Sequence, residues 1–251
     1  MRVSVLSSGS KGNTTYIETE NTKILIDIGN TAKYVKEKLE DIGVKPDDLD
    51  GILITHTHVD HIKGLKVFKK KYNIPIYITD VMHRTLEYLD DYNLLSDEFD
   101  IRDIHVNVIK TSHDTEDSRG YVLTNNDSSI VYITDTGYIN KKYFDLLSNR
   151  NLYIMESNHD VEMLSNSKYP FQLRQRILSD KGHLSNYDSS KYISSFIGDN
   201  TKYVLLAHLS EENNTVELAY ETLINRLNLE GKHVDNIIIT SQDKETELIS
   251  I

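Results

Sequence analysis

The sequence predicts an α/β (α+β) protein folded as a four-layer αββα sandwich. Strand-like apolar runs open each half of the chain, and the helical segments that follow must cover both sheet faces. No linker, low-complexity tract or repeat interrupts the 251 residues, so residues 1–251 read as one domain built in two similar halves.

Each element has its own signal. Residues 2–7, 14–19 and 23–28 read as strands, separated by the turn stretches "SSGSKGN" and "ENT". Residues 31–42 read as a helix, and "GILIT" (51–55) as a buried strand. A helix is expected near 62–72, a strand at 75–79 and a helix at 81–92. The second half opens with strands near 104–110, 119–125 and 129–134. Helices are expected near 139–148, 170–180, 187–197 and 215–228, with strands at 203–207 ("YVLLA") and 236–240 ("NIIIT") among them.

Composition narrows the function. Hydrophobic residues make up 38% and charged residues 27%, the balance of a soluble globular protein. No apolar run approaches a membrane span, and "MRVSVLSSGS" lacks a signal core, so a cytoplasmic location with no membrane partner is expected. There is no cysteine, which excludes disulfides and thiolate metal ligands. The net charge of −11 argues against a long nucleic-acid footprint and leaves small anionic substrates open. The local exception is "IKGLKVFKKKY" (62–72), whose five lysines read first as a solvated helix face and second as a rim that steers anions.

The chemistry concentrates in "THTHVDH" (55–61), directly after the apolar run "GILI". Alternate residues of an extended segment share a face, so His56 and His58 can point at one spot. Asp60 and His61 follow as the chain turns into a helix and can point at a second spot. Imidazole and carboxylate together suit zinc, iron, nickel or manganese. Asp27, His113, Asp135 and His208 each follow an apolar run of strand character. Buried charges in such places are costly without a partner, and a metal is the natural one.

With these residues in view, the chain resembles metallo-β-lactamase-fold hydrolases of the YycJ type and, more distantly, ribonuclease Z. The resemblance covers nearly the whole chain. It is carried by "SSGSKGN" (7–13), "ILIDIG" (24–29), "THTHVDHIKGL" (55–65), "SHD" (112–114), "ITDTGY" (133–138), "ESNHDVEML" (156–164), "YPFQLRQRILSDKGHLSN" (169–186) and "LAHLSEENN" (206–214). Phage anti-Pycsar phosphodiesterases, which destroy cyclic pyrimidine mononucleotides, belong to the same broad group. The resemblance implies two divalent metal ions per chain, zinc first and manganese as the alternative. One would take His56, His58 and His113, and the other Asp60, His61 and His208, with Asp135 bridging and Asp27 behind them orienting ligands or the bridging water. Two such ions ionise a bridging water and neutralise a phosphodiester's oxygens. The leaving oxygen still needs a proton. By the same resemblance His183 would be the acid or a phosphate ligand and Glu156 its orienter.

The favoured substrate on these grounds is a small nucleotide such as a cyclic mononucleotide. The alternative is a YycJ-type 5'-3' exonuclease acting on DNA or RNA ends. Relatives commonly form homodimers in which one subunit covers its neighbour's site. Three further stretches are ambiguous. His159 and Asp160 read equally as function or as a capped turn. "SSGSKGN" lacks the Walker spacing, so its glycines are first a turn and second a phosphate contact. "SHDTEDSRGY" departs from the family in lacking a proline, with Arg119 beside Gly120, and Tyr138 is a candidate base-stacking residue.

Overall fold

The structure, a computed structural model, describes residues 1–251. It is mixed α/β with two β-sheets. The strands of the first half are β1 (Arg2–Ser7), β2 (Thr14–Glu18), β3 (Lys23–Ile26), β4 (Gly51–Leu53), β5 (Ile76–Ile78), β6 (Asn93–Leu94), β7 (Glu98–Ile101), β8 (Ile104–Lys110) and β9 (Arg119–Asn125). The remainder are β10 (Ser128–Ile133), β11 (Leu152–Glu156), β12 (Tyr203–Ala207), β13 (Asn236–Ile239) and β14 (Ile249–Ser250). The helices are α1 (Ala32–Asp41), α2 (Val59–Ile62), α3 (Leu65–Lys71), α4 (Asp80–His83), α5 (Phe144–Leu147), α6 (Val161–Ser165), α7 (Phe171–Ile177), α8 (Asn186–Phe196) and α9 (Val216–Leu229). None is long and apolar enough to cross a membrane. The chain falls into two compact units. The first is Met1–Lys110, Thr115–Ser128 and Ser241–Ile251, and the second is Thr111–Asp114 with Ser129–Thr240.

The first unit holds a seven-stranded sheet ordered β14-β1-β2-β3-β4-β5-β6. Its early strands pair antiparallel, and β3, β4, β5 and β6 run parallel, with Ile26 opposite Leu53. Every residue of β4 is buried, which is why that segment reads as an apolar run without alternation, and β2 is buried throughout although it carries Thr14, Thr15 and Glu18. Thr31 caps α1 by accepting from the Tyr34 N–H at 3.2 Å. That helix turns Val35 and Leu39 into a cluster with Leu6, Leu25, Ile52 and Phe68. Each such side chain contributes roughly 1.5–3 kcal/mol by leaving water. β7, β8 and β9 form an antiparallel ribbon in the same unit.

The second unit is built on four parallel strands, β10 to β13, each joined to the next in order. All of β11 is buried. α8 packs on β11 and α9, and α9 packs on β13. The register sets Ile133 beside Met155, Met155 beside Leu206, and Glu156 beside Ala207. Residues just past those positions therefore gather at the carboxyl ends of parallel strands, where open α/β sheets place their ligands.

Several elements differ from expectation. The 23–28 strand ends at Ile26 because Asp27 turns into the left-handed region at φ 61°. The helix expected near 62–72 is α3 alone, Leu65–Lys71; a separate turn, α2, precedes it, and the chain bends between them at Gly64, whose N–H bonds the Ile28 carbonyl at 3.0 Å. A Cβ on Gly64 would come within 2.3 Å of the Asn30 carbonyl oxygen, so the bend needs glycine. The 81–92 helix is a single turn, α4. Beyond it Leu86 and Leu89 make short-range bonds and bury themselves separately, while Tyr92 folds back to donate to Asp80 at 3.1 Å. The 139–148 helix is a 3₁₀ turn, Lys141–Tyr143, followed by α5 alone. β6, β7, β11, α6 and β14 are additional to the expected elements.

Candidate functional site

In the first unit Asp27, Thr55, His56, His58, Asp60 and His61 come together. Asp27 is fully buried and accepts three hydrogen bonds: from Thr55 N–H at 2.8 Å, Thr55 Oγ1 at 2.8 Å and His61 Nδ1 at 2.7 Å. Burial pushes its carboxyl up, against the pull of His61 and the Thr55 donors. Donation from Nδ1 leaves His61 Nε2 as an acceptor. Asn13 Nδ2 lies 3.0 Å from that nitrogen, which fits the same tautomer. The His56 ring packs 4.0 Å from His61 and 4.7 Å from His58, centroid to centroid. Asp60 Oδ2 stands 3.6 Å from His61 Nε2.

Asn13 was not singled out from the sequence. Its side chain accepts from Gly9 N–H at 2.8 Å and donates to the Gly9 carbonyl at 3.0 Å, so it closes the "SSGSKGN" loop and ties it to His61. Thr55 was quoted only as a strand end, yet it holds Asp27. The close approach depends on Gly29, where a Cβ would lie 1.8 Å from the Asp60 carbonyl oxygen. The lysines of α3 lie on its outer face, and the buried residues of that helix are Leu65 and Phe68.

In the second unit His113, Asp135, Glu156, His183 and His208 come together. Asp135 and His208, like Asp27, are non-glycine residues in the left-handed region, at φ 53° and 56°. Such backbone costs about 1–2 kcal/mol per residue and clusters at functional sites. Glu156, fully buried at the end of β11, is the hub. It accepts from His183 Nδ1 at 2.7 Å, His208 Nδ1 at 2.9 Å, Thr136 N–H at 3.1 Å and Leu184 N–H at 3.1 Å. Burial works to raise its pKa, but the charge and hydrogen bond of His183, and the hydrogen bond of His208, outweigh it and hold Glu156 at about 2. Burial likewise works to lower His183, and the Glu156 carboxylate outweighs it, so this imidazole titrates above its ordinary value. His113 is lowered by burial, donates from Nδ1 to the Gly182 carbonyl at 3.1 Å, and sets Nε2 3.7 Å from Asp135. His208 Nδ1 is 3.5 Å from the same carboxylate oxygen of Asp135.

Behind this cluster lies a buried amide network. Asn158 donates to the His208 carbonyl at 2.9 Å, and Asn214 bridges the Ser157 and Asn158 carbonyls to Asn186. The asparagines of "ESN", "LSN" and "ENN" are thus structural. Asp160 caps α6, accepting from Met163 N–H at 2.8 Å, so the capping reading of that residue holds. His159 is buried, neither ring nitrogen meets a hydrogen-bond partner, and burial lowers it to about 4. Arg119 grips Asp117 with both guanidinium nitrogens, at 2.8 and 2.9 Å, which closes the segment that departs from the family pattern.

Strands ending in histidines and carboxylates, several of them strained, define a metal-dependent hydrolase. The metallo-beta-lactamase superfamily model matches residues 8–208, and the chain belongs to that superfamily. Among individual proteins, exodeoxyribonuclease WalJ of Streptococcus pneumoniae is 38% identical over 263 residues, spanning 100% of this chain and 98% of that protein. Exodeoxyribonuclease YycJ of Bacillus anthracis is 38% identical over 227 residues, 87% of this chain and 86% of that protein. The anti-Pycsar protein Apyc1 of Bacillus phage vB_BveM-Goe7 is 52% identical over 48 residues only, 19% of this chain and 17% of that one. The crystal structure of the metallo-beta-lactamase fold protein YhfI from Bacillus subtilis superposes with a TM-score of 0.76 at 17% identity, covering 98% of both chains.

The family implies divalent metal ions, and the chemistry of the donors fits them. His56, His58, Asp60 and His61 offer three imidazoles and a carboxylate in the first unit, and His113, Asp135 and His208 offer two imidazoles and a carboxylate in the second. Asp135 and Glu156 are both buried carboxylates that repel one another. A cation offsets that cost, and imidazole with carboxylate is the donor set of zinc or manganese.

Proposed function

We propose that the chain is a two-metal phosphodiesterase that acts on the ends of DNA. The observation that carries this reading is the 38% identity to an exodeoxyribonuclease over the whole chain. In it, His56, His58 and His113 would hold one ion and Asp60, His61 and His208 the other, with Asp135 available to both. Zinc is the ion the donors suit first and manganese the alternative. When bound, the ions supply the positive charge that ionises a water molecule and neutralises the phosphodiester's oxygens.

The chain's own residues do the rest. Asp27 and Thr55 hold His61 as the Nδ1–H tautomer, so Nε2 is the ligand atom. Glu156 does the same for His208 and raises the pKa of His183, which favours its protonated form. A protonated His183 hands its proton to the leaving oxygen, the role of a general acid. Asp135, at its left-handed turn, is held between His113 and His208.

A small cyclic nucleotide is the second reading. It rests on the short, strong match to the anti-Pycsar protein and on the net charge of −11. The deciding experiment offers metal-loaded protein end-labelled single-stranded DNA and cyclic mononucleotides side by side and compares kcat/KM. Preference for DNA by an order of magnitude or more is expected, and the reverse preference installs the second reading. His61→Ala and Asp135→Ala should each abolish hydrolysis of bis(p-nitrophenyl) phosphate, and unchanged turnover would refute the two-metal reading.

A further inference from the structure

The unit that carries Asp135 also carries a helix that its core does not explain. None of the residues of α7 (Phe171–Ile177) is buried. Phe171 is 67% exposed, and Leu178, just past the helix end, is 42% exposed. A helix this short has no stability of its own in water, so its ties hold it. The His183 N–H donates to the Ile177 carbonyl at 3.0 Å. Arg176 Nε bonds the Asp114 carboxylate, and Arg174 Nη1 bonds the Ser165 carbonyl. The last turn of α7 is therefore joined to the backbone of His183 and to the residue after His113.

Charge gives the second observation. From Lys168 to Lys181 the segment carries Lys168, Arg174, Arg176 and Lys181 against Asp180 within it and Asp114 on Arg176, in a chain of net charge −11. Phe171 and Arg174 are three residues apart on a helix and so share a face. An exposed aromatic ring beside guanidinium groups, next to a phosphodiester site, is the chemistry that single-stranded nucleic acid recognises: bases stack on the ring and phosphates pair with the guanidiniums. A second copy of this chain fits less well, because the cations would face their own equivalents.

We propose that α7 is the track for a single DNA strand, with a base against Phe171 and backbone phosphates on Arg174 and Arg176, as the strand's end reaches His183. This rests on the nuclease reading above. The test uses metal-loaded protein and a labelled phosphorothioate-linked strand of about 20 nucleotides, the span of a few stacking sites, with binding read by anisotropy at several salt concentrations. Phe171→Ala should weaken binding about tenfold, the cost of one lost stack. Arg174→Gln should weaken it comparably and lower the salt slope by about one. Phe171→Ala, which removes none of the helix's ties, should keep wild-type kcat/KM on bis(p-nitrophenyl) phosphate. If wild type binds and digests DNA while both variants bind it equally well, the track is refuted and the nuclease reading stands. If wild type neither binds nor digests DNA yet turns over cyclic mononucleotides, the nuclease reading fails and the track with it. Phe171→Ala turning a dimer into a monomer by sedimentation, with DNA binding intact, would assign α7 to contact between copies and overturn the track.

Discussion

Glu156 serves two histidines through one oxygen. His183 and His208 both donate to Oε1, at 2.7 and 2.9 Å. That arrangement fixes both rings with Nε2 turned away from the carboxylate, and it raises the pKa of His183. Glu156→Gln keeps the shape but removes the charge. Zinc affinity should fall by about 10–100-fold, the usual cost of disturbing a ligand's supporting hydrogen bond. The rate that depends on protonated His183 falls as pH rises through that residue's pKa. Losing the carboxylate lowers that pKa, so the alkaline limb should move to lower pH. Metal titration and a pH profile of kcat on a diester with a poor leaving group check both arms; a zinc affinity equal to wild type sinks the shared role. The sequence exposed Glu156 through its motif but not its second partner, because His208 lies 52 positions away and meets it only through the β11–β12 register.

Elements ending in strong local signals were legible. β1, β9 and β12 match their runs because those runs are bounded by turns and buried along most of their length, and β8 matches because its buried Ile104 and Val106 alternate with half-buried polar residues. Helix limits failed where long-range contacts decide. Gly64 gives its N–H to Ile28, and Tyr92 folds back on Asp80, and neither bond has a local signature. Asn13 stayed hidden for the same reason: its role depends on His61, 48 positions on. At this scale α6 offers a clean test. Asp160→Ala removes its cap and should cost about 1 kcal/mol in chemical denaturation, while kcat stays within about threefold, under 1 kcal/mol of barrier. A hundredfold loss of kcat at unchanged stability would give Asp160 a chemical role.

For the molecule as a whole, His159 makes folding acid-sensitive. Its folded pKa lies at about 4 against an ordinary 6.5, so the unfolded chain binds the extra proton first. Stability is full above about pH 6.5 and declines as pH falls towards 4, by on the order of 3 kcal/mol from this group. Metal-free His159→Asn protein should show a flatter dependence across that window in denaturant titrations, whatever its absolute stability; a slope equal to wild type would dismiss His159 as the source. The left-handed turns at Asp27, Asp135 and His208 lead further. Asparagine tolerates that backbone at least as well as aspartate, and at position 135 it would also relieve the repulsion with Glu156. Metal-free Asp135→Asn protein should therefore melt at a higher temperature than wild type while being unable to turn over substrate. A library screened for heat resistance alone would drift towards inert survivors, so breeding a hardier form of this enzyme requires scoring turnover in every round.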